Sequence, residues 1–377
     1  MNNIKKLNIH LDINRTIIFG DDVKGEPIEK SIIETMSDLL WGHEENGQFV
    51  IDVDKFLTSP PFPNLLSFTS FTHRLFPFKT PQEIPDAKKR SEFNYNLKRT
   101  SHLKLKENFF SKGNPGFIFD SFYHKILNGL KAPAEESSVK NEFLRELYYT
   151  QNKGHLFVFK SVFFLIEELI QKSKEKKTEF LVLLRTFGQD YVKVKEEINL
   201  FLKGKHPVFS ASSEDEWEIK EEDFCLFYRY EEGDYLVVGE KNRVKKPEKG
   251  EELERLYKFK TILKGRQAIH KFIINKTGFL IISDDYDFWD LNDRKTDCGK
   301  LFYVDGKNDK IFDIFFDDNI KKGAKSIVSC VNFDDGKSCG EGVFGRNLIR
   351  ANALEAASDE EYFWKVIEQN ICNFYQS

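Results

Sequence analysis

Apolar and polar side chains alternate over Leu7-Asn8-Ile9-His10-Leu11-Asp12, which predicts a short strand running into the polar end Ile13-Asn14-Arg15-Thr16. Gly20 and Gly25 mark a turn, and Pro27 then opens a helix whose Ile32, Ile33, Met36, Leu39 and Leu40 share one face. From Gly42 to about Lys153 the periodicity fades. Ser59-Pro60-Pro61-Phe62-Pro63 and Pro77 to Pro85 are loop punctuation there, with short helices such as Ser137 to Tyr149 between them. Regular alternation of helix and strand resumes with a helix over Phe157 to Gln171. The unbroken run Phe180-Leu181-Val182-Leu183-Leu184 then has the length and composition of a buried parallel strand, ending in Arg185-Thr186-Phe187-Gly188.

A helix through Val194, Ile198 and Leu202 follows. The stretch from Gly204 to Tyr257 contains a hairpin pattern, Cys225 to Tyr228 and Tyr235 to Val238 around Glu231-Glu232-Gly233-Asp234. Further on come a helix near Gly265 to Ile274 and three strands, Phe279 to Ile282, Ile311 to Phe316 and Ile327 to Val331. A helix over Ser358 to Phe374 closes the chain. These patterns predict an α/β fold: a three-layer, Rossmann-like core with a mainly parallel sheet, interrupted by two cap-like insertions. The core falls at 1–45, 155–203 and 259–377. A mainly helical cap takes 46–154, and a second insertion with the hairpin takes 204–258.

Composition narrows the function classes. The chain has 377 residues, 40% hydrophobic and 31% charged, which fits a globular protein of about two domain-sized units. Net charge is −4 with both signs interspersed, so no basic face for nucleic acid is expected, and Lys88-Lys89-Arg90 reads as a solvated loop. No run approaches about 18 uninterrupted apolar residues, and the N-terminus has no signal-like apolar stretch, so neither a membrane span nor export is expected. Five scattered cysteines without a CxxC pair fit reduced thiols in a cytoplasmic setting. There are 37 Phe, and those from Phe62 to Phe122 fall in the irregular insertion, where a protein partner could dock.

Candidate chemistry lies at the ends of the strands. Asp12 with Asn14, Thr186, Asp284 with Asp285, and Asp317 with Asp318 each follow an apolar run. In a parallel sheet such ends meet along one crevice. Carboxylates there, with a hydroxyl and a lysine, suit a hard cation and phosphate oxygens. Asp12-Ile13-Asn14-Arg15-Thr16 resembles motif I of the haloacid dehalogenase (HAD) superfamily, Asp-x-Asp-x-Thr in its phosphatases. Thr186 is similar to motif II and Asp317-Asp318 to motif IV, while motif III falls on Lys300 or, second, Lys264.

The resemblance implies a Mg²⁺-dependent phosphohydrolase or phosphotransferase acting on a small phosphorylated molecule. Asp12 would be the nucleophile and would form an aspartyl-phosphate. Asp12, the carbonyl of Asn14, and Asp317 or Asp318 would hold Mg²⁺. Thr186 and Lys300 would bind phosphoryl oxygens. Asn14 departs from the family, which places an acid there. An amide cannot exchange a proton, and that exchange is worth roughly 10²–10⁴ in rate. His10 or a cap residue would have to replace it, unless the protein binds a phosphorylated ligand or a partner without turnover. Asp284-Asp285-Tyr286, with Trp289 and Asn292, reads as a solvated loop or a substrate contact. Gly340 to Gly345 matches GxGxxG, but too little chain follows for a dinucleotide-binding unit, which leaves a flexible loop.

Overall fold

The computed structural model describes residues 4–20, 27–209, 215–322 and 326–374; the predicted turn at Gly25 lies outside them. The described residues form β1 (Lys6–Asp12), β2 (Leu40–Glu45), β3 (Gln48–Phe56), β4 (Leu66–Ser67), β5 (Glu179–Thr186), β6 (Phe224–Tyr230) and β7 (Gly233–Val238). They continue with β8 (Thr261–Lys264), β9 (Gly278–Ser283), β10 (Lys300–Val304), β11 (Ile311–Asp317), β12 (Val328–Asn332) and β13 (Leu348–Arg350). Eight of these make one sheet in the order β13-β11-β1-β5-β9-β6-β7-β8. From β13 to β6 the neighbours are parallel, and β7 and β8 are added antiparallel. The fold is thus α/β around a mainly parallel mixed sheet.

The period of two along the strands sorts their side chains onto two dry faces. Leu7, Ile9 and Leu11 of β1, Phe180, Val182 and Leu184 of β5, and Phe312, Ile314 and Phe316 of β11 share a cluster with helices Lys160–Lys174, Tyr191–Leu202 and Tyr362–Phe374. Leu181, Leu183, Leu280 and Ile282 meet Ile269 and Ile273 of helix Gly265–Asn275, with Leu301 and Tyr303 of β10. Burial on both faces explains the uninterrupted apolar run of β5. The polar residues of β1 on the second face find partners inside the protein, although Asn8 Oδ1 is left without one. Asn8 Nδ2 donates to Asp313 Oδ1 at 2.8 Å, and His10 lies between the rings of Phe302 and Phe315, with Arg185 Nη1 3.1 Å from its Nδ1.

Several elements differ from expectation. The 224–238 hairpin extends the main sheet, because β6 pairs in parallel with β9. The strand expected at Ile327 to Val331 forms one residue later and stands outside that sheet, pairing with β10 in a two-stranded parallel unit. At the start of the irregular stretch, β3 and β4 pair with β2 in a small antiparallel sheet. The expected helix from Ser137 to Tyr149 is a 3₁₀ turn, then a short α-helix Glu142–Arg145 that widens into a π-helix Glu146–Gln151. Lys88-Lys89-Arg90 is not a solvated loop. It lies in helix Ala87–Leu97, and Arg90 is buried there with Nη2 2.5 Å from Asp293 Oδ1. The GxGxxG stretch is a 3₁₀ turn leading into β13.

Phe49, Phe56, Phe68, Phe71, Phe109 and Phe119 join the same apolar cluster as the core strands, while Phe62, Phe76, Phe93 and Phe117 are exposed. Among the described residues no helix is long and apolar enough to cross a membrane.

Candidate active site

β1 and β11 are parallel neighbours with Leu11 opposite Phe316, so their last residues, Asp12 and Asp317, finish side by side at the C-terminal edge. The backbone after β1 turns back at once. Ile17 N and Ile18 N both donate to Ile13 O, and Arg15 takes a left-handed conformation at φ 58°. This turn places the Thr16 hydroxyl 3.3 Å from Asp12 Oδ2, where it donates, and 3.2 Å from Asp318 N, from which it accepts. It also sets Arg15 Nε 3.3 Å from Asp318 Oδ2, while Arg15 Nη1 reaches Asp38 at 3.1 Å and Glu34 at 3.5 Å. Arg350, at the end of β13, donates to the Asp318 carbonyl at 3.1 Å.

Lys300 completes the constellation. It opens β10, where its own N–H donates to Ile327 O at 2.8 Å, and its ammonium group bridges Asp12 and Asp317, the latter at 2.8 Å. Its side chain is 1% exposed. Burial works to lower the Lys300 pKa, but Asp12, Asp317 and Asp284 together hold it above the ordinary lysine value, so the ammonium stays charged. Burial pushes the Asp12 carboxyl well above the usual range, opposed by Lys300 and reinforced by Asp317 and Asp318. Asp318 is pushed up to about 6, again by burial, with Arg15 opposing.

Asp12, Asp317 and Asp318 each present a carboxylate oxygen, all within 4.8 Å of one another. Lys300 and Arg15 lie against these carboxylates, Arg350 is also near Asp318, and the carboxylate charge is held in a buried place. A hard divalent cation with oxygen ligands matches that donor set and that charge.

The remaining expected residues divide. Thr186 ends β5 beside β1, buried, with its Oγ1 accepting from Gly188 N at 2.8 Å. Asn14 follows β1, and its amide Nδ2 donates to Gly20 O at 3.2 Å and to Asp190 Oδ2 at 3.1 Å. Lys264 is not brought to the carboxylates. It ends β8 at the far edge of the sheet, pairs with Glu251 at 3.5 Å, and lines a separate cleft of ≈ 1020 Å³ with Arg229, Arg266, Lys295 and Tyr303.

Asp284 and Asp285 are not a solvated loop either. Asp284 is buried in a two-pronged pair with Arg185, at 2.5 and 2.9 Å. Asp285 caps helix Tyr286–Leu291 and meets Lys246 at 2.7 Å. His10 is enclosed, its pKa driven well below the ordinary value by burial and then by Arg185. Arg15, Arg350 and Asp190 join the site beyond the residues expected from the strand ends. The position of Arg15 inside the Asp-x-Asn-x-Thr pattern was a signal for it, whereas Arg350 and Asp190 reach the site only through the fold.

No protein-family model, no curated protein and no solved structure matches this chain.

Proposed function

We propose that the chain is a HAD-like, Mg²⁺-dependent phosphohydrolase or phosphotransferase for a small phosphorylated molecule. One observation carries the reading: a buried lysine, Lys300, bridges two carboxylates, Asp12 and Asp317, at the ends of adjacent parallel strands, with Asp318 beside them. The strand order around β1, with β11 then β13 on one side and β5 then β9 on the other, supports a HAD-like core.

In this reading an Asp12 oxygen attacks phosphorus and the leaving group departs with its bonding pair, giving an aspartyl-phosphate. Water then cleaves that intermediate and frees Asp12. Lys300 orients Asp12 and opposes the rise that burial imposes on its pKa, and Thr16 fixes the other carboxylate oxygen. Asp12, Asp317 and Asp318 would hold Mg²⁺, which when bound neutralises charge on the phosphoryl oxygens. Thr186, at the neighbouring strand end, supplies the hydroxyl expected to meet a phosphoryl oxygen.

Asn14 sets the substrate preference. Its amide group is committed to Gly20 and Asp190, and it offers no acid to protonate a leaving alkoxide. Acyl phosphates and anhydrides, whose leaving groups depart as stable anions, are therefore the favoured substrates over alkyl monoesters. The same observation supports a second reading, in which the site binds a phosphorylated ligand without turnover.

The test is hydrolysis of acetyl phosphate and of an alkyl phosphomonoester with Mg²⁺, by the wild type and by Asp12→Asn. Turnover of the acyl phosphate that vanishes in Asp12→Asn supports the enzyme. Equal rates in both proteins sink Asp12 as nucleophile. Calorimetric binding of phosphate with Mg²⁺, without any turnover, would support the second reading.

A further inference from the structure

Away from the carboxylates, the chain after β12 doubles back on itself. Asn332 N donates to Lys337 O at 2.8 Å, Val331 and Ser338 form an antiparallel bridge, and Cys339 N donates to Cys330 O at 2.9 Å. The turn between them is closed by Gly336, at φ 74°, whose N–H donates to Asn332 O. This ladder sets Cys330 and Cys339 directly opposite each other, and opposed residues in antiparallel pairs share a face with their Cβ atoms close together. Both side chains pack in one cluster with Phe302, Phe315 and Ile320.

The two cysteines are not equivalent. Cys330 is buried, whereas Cys339 is partly open. The neighbouring Cys339 side chain raises the pKa of Cys330, with burial adding to the rise, and Cys330 in turn lowers the pKa of Cys339, against burial and Asp335. An accessible sulfur that is stabilised as thiolate and stands next to a second thiol is the arrangement a peroxide-reactive cysteine uses.

We infer that Cys339 and Cys330 form a redox site that reacts with hydrogen peroxide, Cys339 as the attacking thiol and Cys330 as the resolving one. The Cys339 thiolate attacks a peroxide oxygen and the O–O bond breaks. Cys339 becomes a sulfenic acid, and the departing hydroxide takes up the thiol proton as water. The Cys330 sulfur then attacks the Cys339 sulfur, an S–S bond forms, and the sulfenic oxygen leaves as a second water with the proton from Cys330. The two thiols lose two electrons together and one peroxide becomes two waters. The other cysteines offer no such pair: the Cys225 thiol is buried in the sheet and pushed up to about 12 by that burial, and burial also raises Cys298.

The experiment is peroxide treatment of the full chain, alkylation of the remaining thiols and tryptic mass mapping. Cleavage after Lys337 separates the two cysteines, so the bond holds two peptides together until a reductant is added. The expected product is that linked pair, with the free thiols falling from five to three. In Cys330→Ser the reaction should stop at a Cys339 sulfenic acid, captured by dimedone, and in Cys339→Ser no dimedone adduct should form on Cys330. Should a variant fold poorly, the wild-type map decides alone. A disulfide joining either cysteine to Cys225, Cys298 or Cys372, or peroxide treatment that leaves both thiols free, overturns the inference.

Discussion

Asn14 and Asp190 meet at 3.1 Å, amide to carboxylate, a contact that an amide at position 14 can make and an ionised acid cannot. Asp190 is 1% exposed, so an aspartate in place of Asn14 would set a half-buried carboxylate against a buried one. Asn14→Asp alone should destabilise the protein, and Asn14→Asp with Asp190→Asn should recover much of the loss. A urea-unfolding double-mutant cycle measures this. A favourable coupling of roughly 0.5–3 kcal/mol is expected, and strict additivity would refute the contact.

A second buried acid gives a pH signature. Burial pushes Asp313 up to about 7, although the hydrogen bond from Asn8 opposes it. The folded-state pKa lies above the unfolded one, so its stabilising contribution is fully present below about pH 4 and is lost as pH rises through about 7, on the order of 4 kcal/mol in all. Asp313→Asn should flatten the stability profile across that window, as followed by denaturant midpoints. An unchanged profile would rule out Asp313 as its source. At this scale the sequence located Asp12, Asp317 and Asp318, because each follows an apolar strand. It ranked Lys300 ahead of Lys264 without excluding the second, since two lysines beside short strands look alike until the strands are placed.

The element that matters most to the site is β10, because it carries Lys300 to the carboxylates without belonging to the main sheet. Its position depends on Gly299. A Cβ on that residue would stand 2.1 Å from the Ile327 carbonyl oxygen, at the point where Lys300 N donates to the same oxygen. The backbone of Gly299 is at φ −74°, so close approach and not chain conformation forbids a side chain. Gly299→Ala should force β10 away from Ile327, cost about 1–3 kcal/mol and lower any turnover at Asp12. Thermal unfolding alongside acetyl phosphate hydrolysis would check this, and wild-type stability in the variant would refute it.

The elements with strong local patterns formed as expected, the unbroken apolar run as β5 and the one-faced period as helix Ile28–Leu39. Periodicity alone overlooked β2 and β3 although Asn46-Gly47 sits between them. Both residues have positive φ, 49° and 75°, as a tight hairpin turn requires. Short β13 and β10 carried no periodic signal, since three to five residues are too few to show one.

At the scale of the whole molecule, the stretch 46–154 is not hung on the core by linkers alone. Phe56, Phe68 and Phe109 share one apolar cluster with Ile9, Val182 and Ile314 of the central strands, so removing them from it would open the core to water. Charge joins the two as well: Lys98 pairs with Glu34 at 3.2 Å, and Lys106 stands 3.9 Å from Asp38, both acids lying on the first helix. Unfolding by urea should therefore be a single transition, coincident by far-UV circular dichroism and by tryptophan fluorescence. Two separated transitions would show that the inserted stretch melts independently.

Composition, period and the polar ends of apolar runs were enough to determine an α/β chain with a parallel sheet and acids at its strand ends. Those properties are local, set by which side chains must leave water and how far apart they recur. Tertiary structure decided which acids meet. Asp284 went to Arg185, whereas Asp12 and Asp317 went to Lys300, because strand order and the placement of β10 bring Lys300 to Asp12, 288 positions away in the chain. It also drew the 224–238 hairpin into the main sheet and set Cys330 opposite Cys339. Pairing across such separations depends on registers and packed faces that no short window of sequence contains.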